Sequence, residues 1–126
     1  MSDARAGGNS RSKIQKADFK PERRWPRYKA KIPVRASFSL KGESVELRGE
    51  ASDISAGGMR LFLTRIVEPG SSLQLRFIVP YSSPPIVVRG VIRNRDGFTH
   101  GVEFVNPTAH QQQMIERACK TIELLD

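Results

Sequence analysis

From Ala30 onward the chain alternates. Ile32, Val34, Ala36, Phe38 and Leu40 are separated by Lys31, Pro33, Arg35, Ser37 and Ser39, the period-two pattern of a strand with one buried face. Pro33 has no amide to donate to a ladder, so the early part of this strand is expected at an edge or beside a bulge. Lys41-Gly42 reads as a turn, and Val45, Leu47, Gly49 and Ala51 give a second alternating run with Glu46, Arg48 and Glu50 on its other face. Met59, Leu61 and Leu63 make a third run and Leu73, Leu75, Phe77 and Val79 a fourth, separated by Pro69-Gly70. Tyr81-Ser82-Ser83-Pro84-Pro85 breaks the pattern, after which Ile86 to Arg95 and Phe98 to Val105 read as a hairpin about Asp96-Gly97. About six strands at short, regular spacing predict an all-β fold, a small antiparallel barrel or sandwich.

The last segment changes period. Ile115, Ala118, Cys119, Ile122 and Leu125 recur at helical spacing, which predicts an amphipathic C-terminal helix packed on the barrel or closing one end of it. Asn106 is a good N-cap and Pro107 suits the first helical position, while Thr108 followed by Gln111 offers a second capping pair. A partner-binding helix is the alternative, but stable helices usually bury their apolar stripe in their own domain. No internal repeat points to a solenoid or propeller.

At 126 residues, with 38% apolar and 27% charged side chains, the chain is sized for one domain with its own core. No stretch approaches the roughly 20 apolar residues of a membrane span. Met1 to Ser10 has no apolar region of the kind a secretory signal needs, so a cytoplasmic location is expected. The single Cys119 can form no internal disulfide and falls on the helix stripe, which reads as a small core residue rather than a reactive thiol.

The formal net charge of +8 is unevenly spread. Residues 1–29 hold nine Lys/Arg against Asp3, Asp18 and Glu22, a net of +6, whereas the other 97 residues hold 12 basic and 10 acidic side chains. A basic arm on a near-neutral body is the pattern of a segment that meets an anion. Residues 1–20 are expected to be a flexible basic tail, since Ala6 to Ser12 shows no apolar periodicity. Residues 21–126 form the expected domain.

Two short clusters carry the chemistry. Arg23-Arg24-Trp25-Pro26-Arg27 supplies guanidinium forks that match phosphate oxygens bidentately, stack on a base or take the O6/N7 edge of guanine. Pro21 and Pro26 keep this segment extended, so its arginines converge on an anion only if the arm wraps it. The plainer alternative is a charged approach to the first strand. Asp53-Ile54-Ser55-Ala56-Gly57-Gly58 supplies a carboxylate, a hydroxyl and a glycine turn between two predicted strands, where Gly57 and Gly58 would allow positive φ or a bulge. The carboxylate can accept from the N1–H and exocyclic amine of guanine, with the hydroxyl and a loop amide on phosphate or ribose. The plainer reading is a turn whose Asp and Ser bond their own backbone. Neither cluster holds a nucleophile beside a base or a plausible set of metal ligands, and His100 and His110 stand apart from any catalytic order.

The order Arg-x-x-x-Arg, two strands, then Asp-x-Ser-x-x-Gly resembles the PilZ domain family, through Arg23, Arg27, Asp53, Ser55 and Gly58. Arg24, Trp25 and Pro26 are agreeable fillings of the first motif, and Gly101-Val102-Glu103-Phe104 is similar to the closing strand of such domains. The resemblance runs from Pro21 to Asp126 and every motif position is kept. It implies a six-stranded antiparallel barrel with a C-terminal helix, binding the bacterial second messenger cyclic di-GMP through Arg23, Arg24, Arg27, Asp53, Ser55, Gly57 and Gly58. No cofactor is expected. It further implies a stand-alone adaptor whose basic arm closes over the nucleotide and passes the signal to another protein.

Other readings compete with that one. General nucleic-acid binding would use Lys13, Lys16, Lys20 and the arginines on phosphates, with Trp25 or Phe19 stacking on bases; the near-neutral body counts against it. A protein-interaction module that kept the fold without the ligand sits poorly with intact motifs. An enzyme is not expected. The downstream partner, the number of nucleotides bound and a homodimer through an exposed strand edge or helix face stay open.

Overall fold

The alternating runs become six strands: β1 (Tyr28–Leu40), β2 (Glu43–Ile54), β3 (Gly58–Leu63), β4 (Ser72–Phe77), β5 (Ile86–Asp96) and β6 (Thr99–Phe104). Among the described residues one helix, α1 (Ala109–Leu125), follows. The computed structural model describes residues 26–79 and 84–125, so the expected tail at 1–20, Arg23, Arg24, Trp25 and residues 81–83 lie outside the described residues. All neighbouring strands are antiparallel, and they close into a barrel in the order β1-β2-β3-β6-β5-β4. Closure removes free sheet edges among these strands.

Turn chemistry sets the registers. Lys41 and Gly42 take φ of 53° and 81° between the paired residues Leu40 and Glu43, the two positive values that a two-residue hairpin matched to strand twist requires. The β5–β6 hairpin turns through Gly97 and Phe98, with Gly97 at φ 62° and Asp96 opposite Thr99, one residue later than the expected Asp96-Gly97. Pro33 falls between the register shift after Lys29 and the first β1–β4 pair, Val34 with Phe77. It pairs with Glu50 of β2 next to that irregularity, the bulge alternative of the sequence expectation, since the closed barrel leaves it no edge.

Inward positions fill the barrel. Ile32, Val34, Leu61, Leu63, Leu75, Phe77 and Ile92 are at most 2% exposed, and Phe77 stacks on Phe104 with ring centroids 6.5 Å apart. Helix α1 lays Ile115, Ala118, Cys119 and Ile122 against this core, in contact with β1 and β5. Its start differs from the first expectation. Asn106 is in the left-handed region at φ 46°, a conformation its short polar side chain tolerates, and the helix is capped two residues later. Thr108 Oγ1 accepts from Gln111 N–H at 3.0 Å while Gln111 Oε1 accepts from Thr108 N–H at 2.7 Å, the reciprocal capping box of the second expectation. No described helix is long and apolar enough to cross a membrane.

Candidate functional site

The sequence placed Asp53 in a loop; the structure puts it in β2, which runs two or three residues further than the alternation suggested. Asp53 pairs with Lys29 on one side and Arg60 on the other. The register shifts between Ala51 and Asp53, leaving Ser52 as the extra residue of a bulge. Without it, Asp53 would share the inward face of Ala51, because successive side chains alternate. The bulge turns Asp53 outward and returns Ile54 to the core. A second shift, between Ile92 and Asn94, does the same on β5: it leaves Arg93 as the extra residue and turns Asn94 outward. The two bulges therefore bring polar side chains to one row across the outer wall, Lys29–Asp53–Arg60–Gly101–Asn94.

Gly101 leaves a gap in that row. A Cβ there would lie 2.6 Å from Asn94 Oδ1, so the missing side chain is what lets the Asn94 amide lie across β6. Around the gap is a cleft of about 100 Å³, open on one side and lined by Arg27, Arg60, Arg93, Asn94, Glu103 and the Ser55–Gly58 turn.

Arg27, just before β1, reaches Asp53: its Nη1 donates to Oδ1 at 2.8 Å. Arg60 Nε lies 3.5 Å from the other carboxylate oxygen. Asp53 is thus held between two guanidiniums, with its side chain 17% exposed and that of Arg27 40% exposed. Partial exposure keeps such a pair weak, about 1 kcal/mol or less, so an incoming anion can take Arg27 at small cost. On the far side of the cleft Arg93 Nε donates to Glu103 Oε1 at 2.6 Å.

The turn is built by Ser55. Its Oγ accepts from the N–H groups of Gly57 and Gly58, each at 3.2 Å, while its own N–H donates to Gly58 O at 2.8 Å. Of the two roles open to Ser55 in the sequence, ligand hydroxyl or lock of its own turn, the second is in place; the side chain is 2% exposed. Neither Gly57 nor Gly58 takes a positive φ, contrary to one of the two reasons expected for them. Gly58 is required by close approach instead, because a Cβ there would collide with the carbonyl oxygen of Val102 on β6. The Gly57 carbonyl accepts from Phe104 N–H at 2.9 Å, which fixes the turn to the same strand.

Arg27, Asp53, Ser55, Gly57 and Gly58 thus come together, while Arg23 and Arg24 fall outside the described residues. Sequence reasoning missed Arg60, Arg93 and Asn94. Arg60 had a signal, since it is the polar residue between inward Met59 and Leu61. Arg93 and Asn94 had none, because their bulge leaves no mark on residue type. Chemically, the cleft presents guanidiniums, an amide and the Glu103 carboxylate, with Asp53 paired to Arg27 at its margin, a set suited to an anionic ligand with a polar planar base. Among the described residues no His, Cys, Asp or Glu cluster could hold a metal ion.

The PilZ domain family model matches residues 21–121. No curated protein matches the chain. Among solved structures, the chain is similar to the Bacillus subtilis inhibitor of motility MotI/DgrA (23% identity, TM-score 0.65, 90% of this chain and 54% of that one). It spans about half the length of that protein. It is also similar to the PilZ domain with c-di-GMP of YcgR from Escherichia coli (16% identity, TM-score 0.64, 81% of this chain and 92% of that one). A third likeness is to the PilZ domain of CeSA from a cellulose-synthesizing bacterium (16% identity, TM-score 0.62, 78% and 98%). At these identities the structures speak for the fold, a closed six-stranded antiparallel barrel with a C-terminal helix. Together with the family match over most of its length, they establish that this chain belongs to the PilZ domain family.

Proposed function

We propose that this protein is a cyclic di-GMP receptor acting as an adaptor in the cytoplasm. The observation that carries the reading is the Arg27–Asp53 ion pair at 2.8 Å, which joins the root of the arginine arm to the end of β2 beside one anion-adapted cleft. Family membership supports it, as does the likeness to a YcgR domain solved with c-di-GMP. In this reading Arg23, Arg24 and Arg27 close over the ligand and take its phosphates and a guanine edge. Asp53, released from Arg27, accepts from the guanine N1–H and amine. Ser55 holds the turn by taking the N–H groups of Gly57 and Gly58, so that the side-chain-free backbone of these glycines lines the cleft and lets the ligand approach closely. Arg60, beside Asp53, and Arg93, across the cleft, line it and add charge. The closed arm is the changed surface that a partner protein reads.

Titration calorimetry of the intact chain with cyclic di-GMP, against GTP and cyclic di-AMP, tests this. Selective binding at micromolar affinity or tighter, about 8 kcal/mol, is expected, and the stoichiometry separates a single nucleotide from a stacked pair. Absence of heat and of thermal stabilisation at high ligand rejects the receptor reading in favour of an interaction module. Equal, steeply salt-dependent binding of DNA or RNA rejects it in favour of general nucleic-acid binding.

A further inference from the structure

Three arginines stand side by side on the barrel wall away from the cleft. Arg35 on β1 is the register partner of Arg48 on β2 and of Arg76 on β4, and all three are exposed. Adjacent strands lie about 4.8 Å apart, so the row sets three guanidiniums across about 10 Å. Like charges directly opposite in a sheet destabilise it, and two such pairs in succession give the fold nothing. Glu46 Oε1 approaches Arg35 at 3.7 Å, with both side chains more than half exposed, which leaves the pair largely screened. Among the described residues neither Arg48 nor Arg76 has a carboxylate in ion-pair reach. The row lines a groove of about 540 Å³ that also includes Ile78, an apolar side chain left 52% exposed.

We propose that this row is the docking surface for an acidic segment of a partner protein, with Ile78 as an apolar anchor beside it. Arginine flanked by exposed apolar surface is the composition of protein interfaces. A nucleic-acid backbone fits less well, because Glu46 and Glu50 flank Arg48 along the same outer face of β2 and would repel an unbroken line of phosphates. A segment whose carboxylates are interrupted avoids them. In the closed order β1 lies three strands from β6, so the arginine row and the cleft occupy opposite walls. Partner and nucleotide can then be held at once, and the proposal stands whether or not cyclic di-GMP is the ligand.

The test is fluorescence anisotropy with a labelled octapeptide of six glutamates and two leucines. The variant Arg35→Gln/Arg48→Gln/Arg76→Gln is compared with Lys41→Gln/Arg117→Gln/Lys120→Gln, which removes the same charge from the turn and helix. The arginine-row variant should bind about tenfold or more weakly, while the control stays within about twofold of the unsubstituted chain. Equal losses in both, or no loss in the first, would overturn the proposal by showing only bulk charge. Single-stranded DNA of equal charge binding more tightly than the peptide through the same three arginines would overturn it in favour of nucleic acid. The melting temperature of the arginine-row variant should hold or rise, since two like-charge pairs are relieved; a fall would overturn it by showing that the row serves the fold.

Discussion

Arg27 and Asp53 illustrate how much of this site rests on single side chains. Both are partly exposed and paired at 2.8 Å, so the pair adds little to stability, and in the proposed function its value lies in holding Arg27 at the cleft. Arg27→Ala and Asp53→Ala should therefore leave the thermal melt nearly unchanged yet weaken cyclic di-GMP binding more than tenfold. Charge-assisted hydrogen bonds contribute about 1.5–3 kcal/mol each, and calorimetric titration of each variant reads the loss. Affinity unchanged in both would remove their assigned roles. Cys119 shows the opposite character. Burial first, and the nearby Glu116 carboxylate second, push its thiol up to about 11 from 9.0, so at pH 8 very little thiolate exists to react. Labelling by a thiol reagent at pH 8 should be slow in the folded chain and fast after denaturation. Because the folded value is the higher one, the neutral thiol's contribution to stability is fully present below pH 9 and is lost as pH rises towards 11. A melt series across that window should show stability falling, and a Cys119→Ala variant should show a shallower fall.

Two elements decide whether the cleft is built at all. The Ser55–Gly58 turn depends on Gly58 lying against the Val102 carbonyl, so Gly58→Val must push β3 off β6 and should destabilise the chain by about 1–3 kcal/mol or more, measured by denaturant unfolding. The helix depends on the capping box, and Thr108→Ala should cost about 0.5–2 kcal/mol. Gln111 also donates to Val87 O at 2.7 Å, so its loss would unfasten the helix from β5 as well as uncap it. The six strands were readable because alternation of buried and exposed side chains is itself the physical cause of a half-buried strand. The bulges at Ser52 and Arg93 were not, since an extra residue in a ladder is settled by pairing across strands. That is why Asp53 could be named from its motif but not placed in β2, and why Asn94 went unseen. The helix cap failed at Asn106 for a related reason: either residue could cap alone, and only the reciprocal bonds of Thr108 with Gln111 separate them.

At the scale of the whole molecule, the closed barrel separates two charged faces. The cleft lies over β3, β6 and β5 at the end where Arg27 arrives, and the arginine row lies over β2, β1 and β4. A near-neutral body with a strongly basic first 29 residues concentrates the long-range field for anions at the arm, which should make association faster at low salt. Family and fold could be read from the spacing of two motifs around two strands and from the alternation, whereas the cleft's far wall needed the pairing of β6 with β5. The central claim, that cyclic di-GMP occupies this cleft, is tested most directly by amide chemical-shift mapping of the intact chain during titration with the nucleotide. The account predicts that the amides of Asp53, Gly57, Gly58, Arg60, Asn94 and Glu103 move together and saturably, with those of Arg35, Arg48 and Arg76 unmoved. Shifts confined to the arginine row, or none at saturating nucleotide, would contradict it.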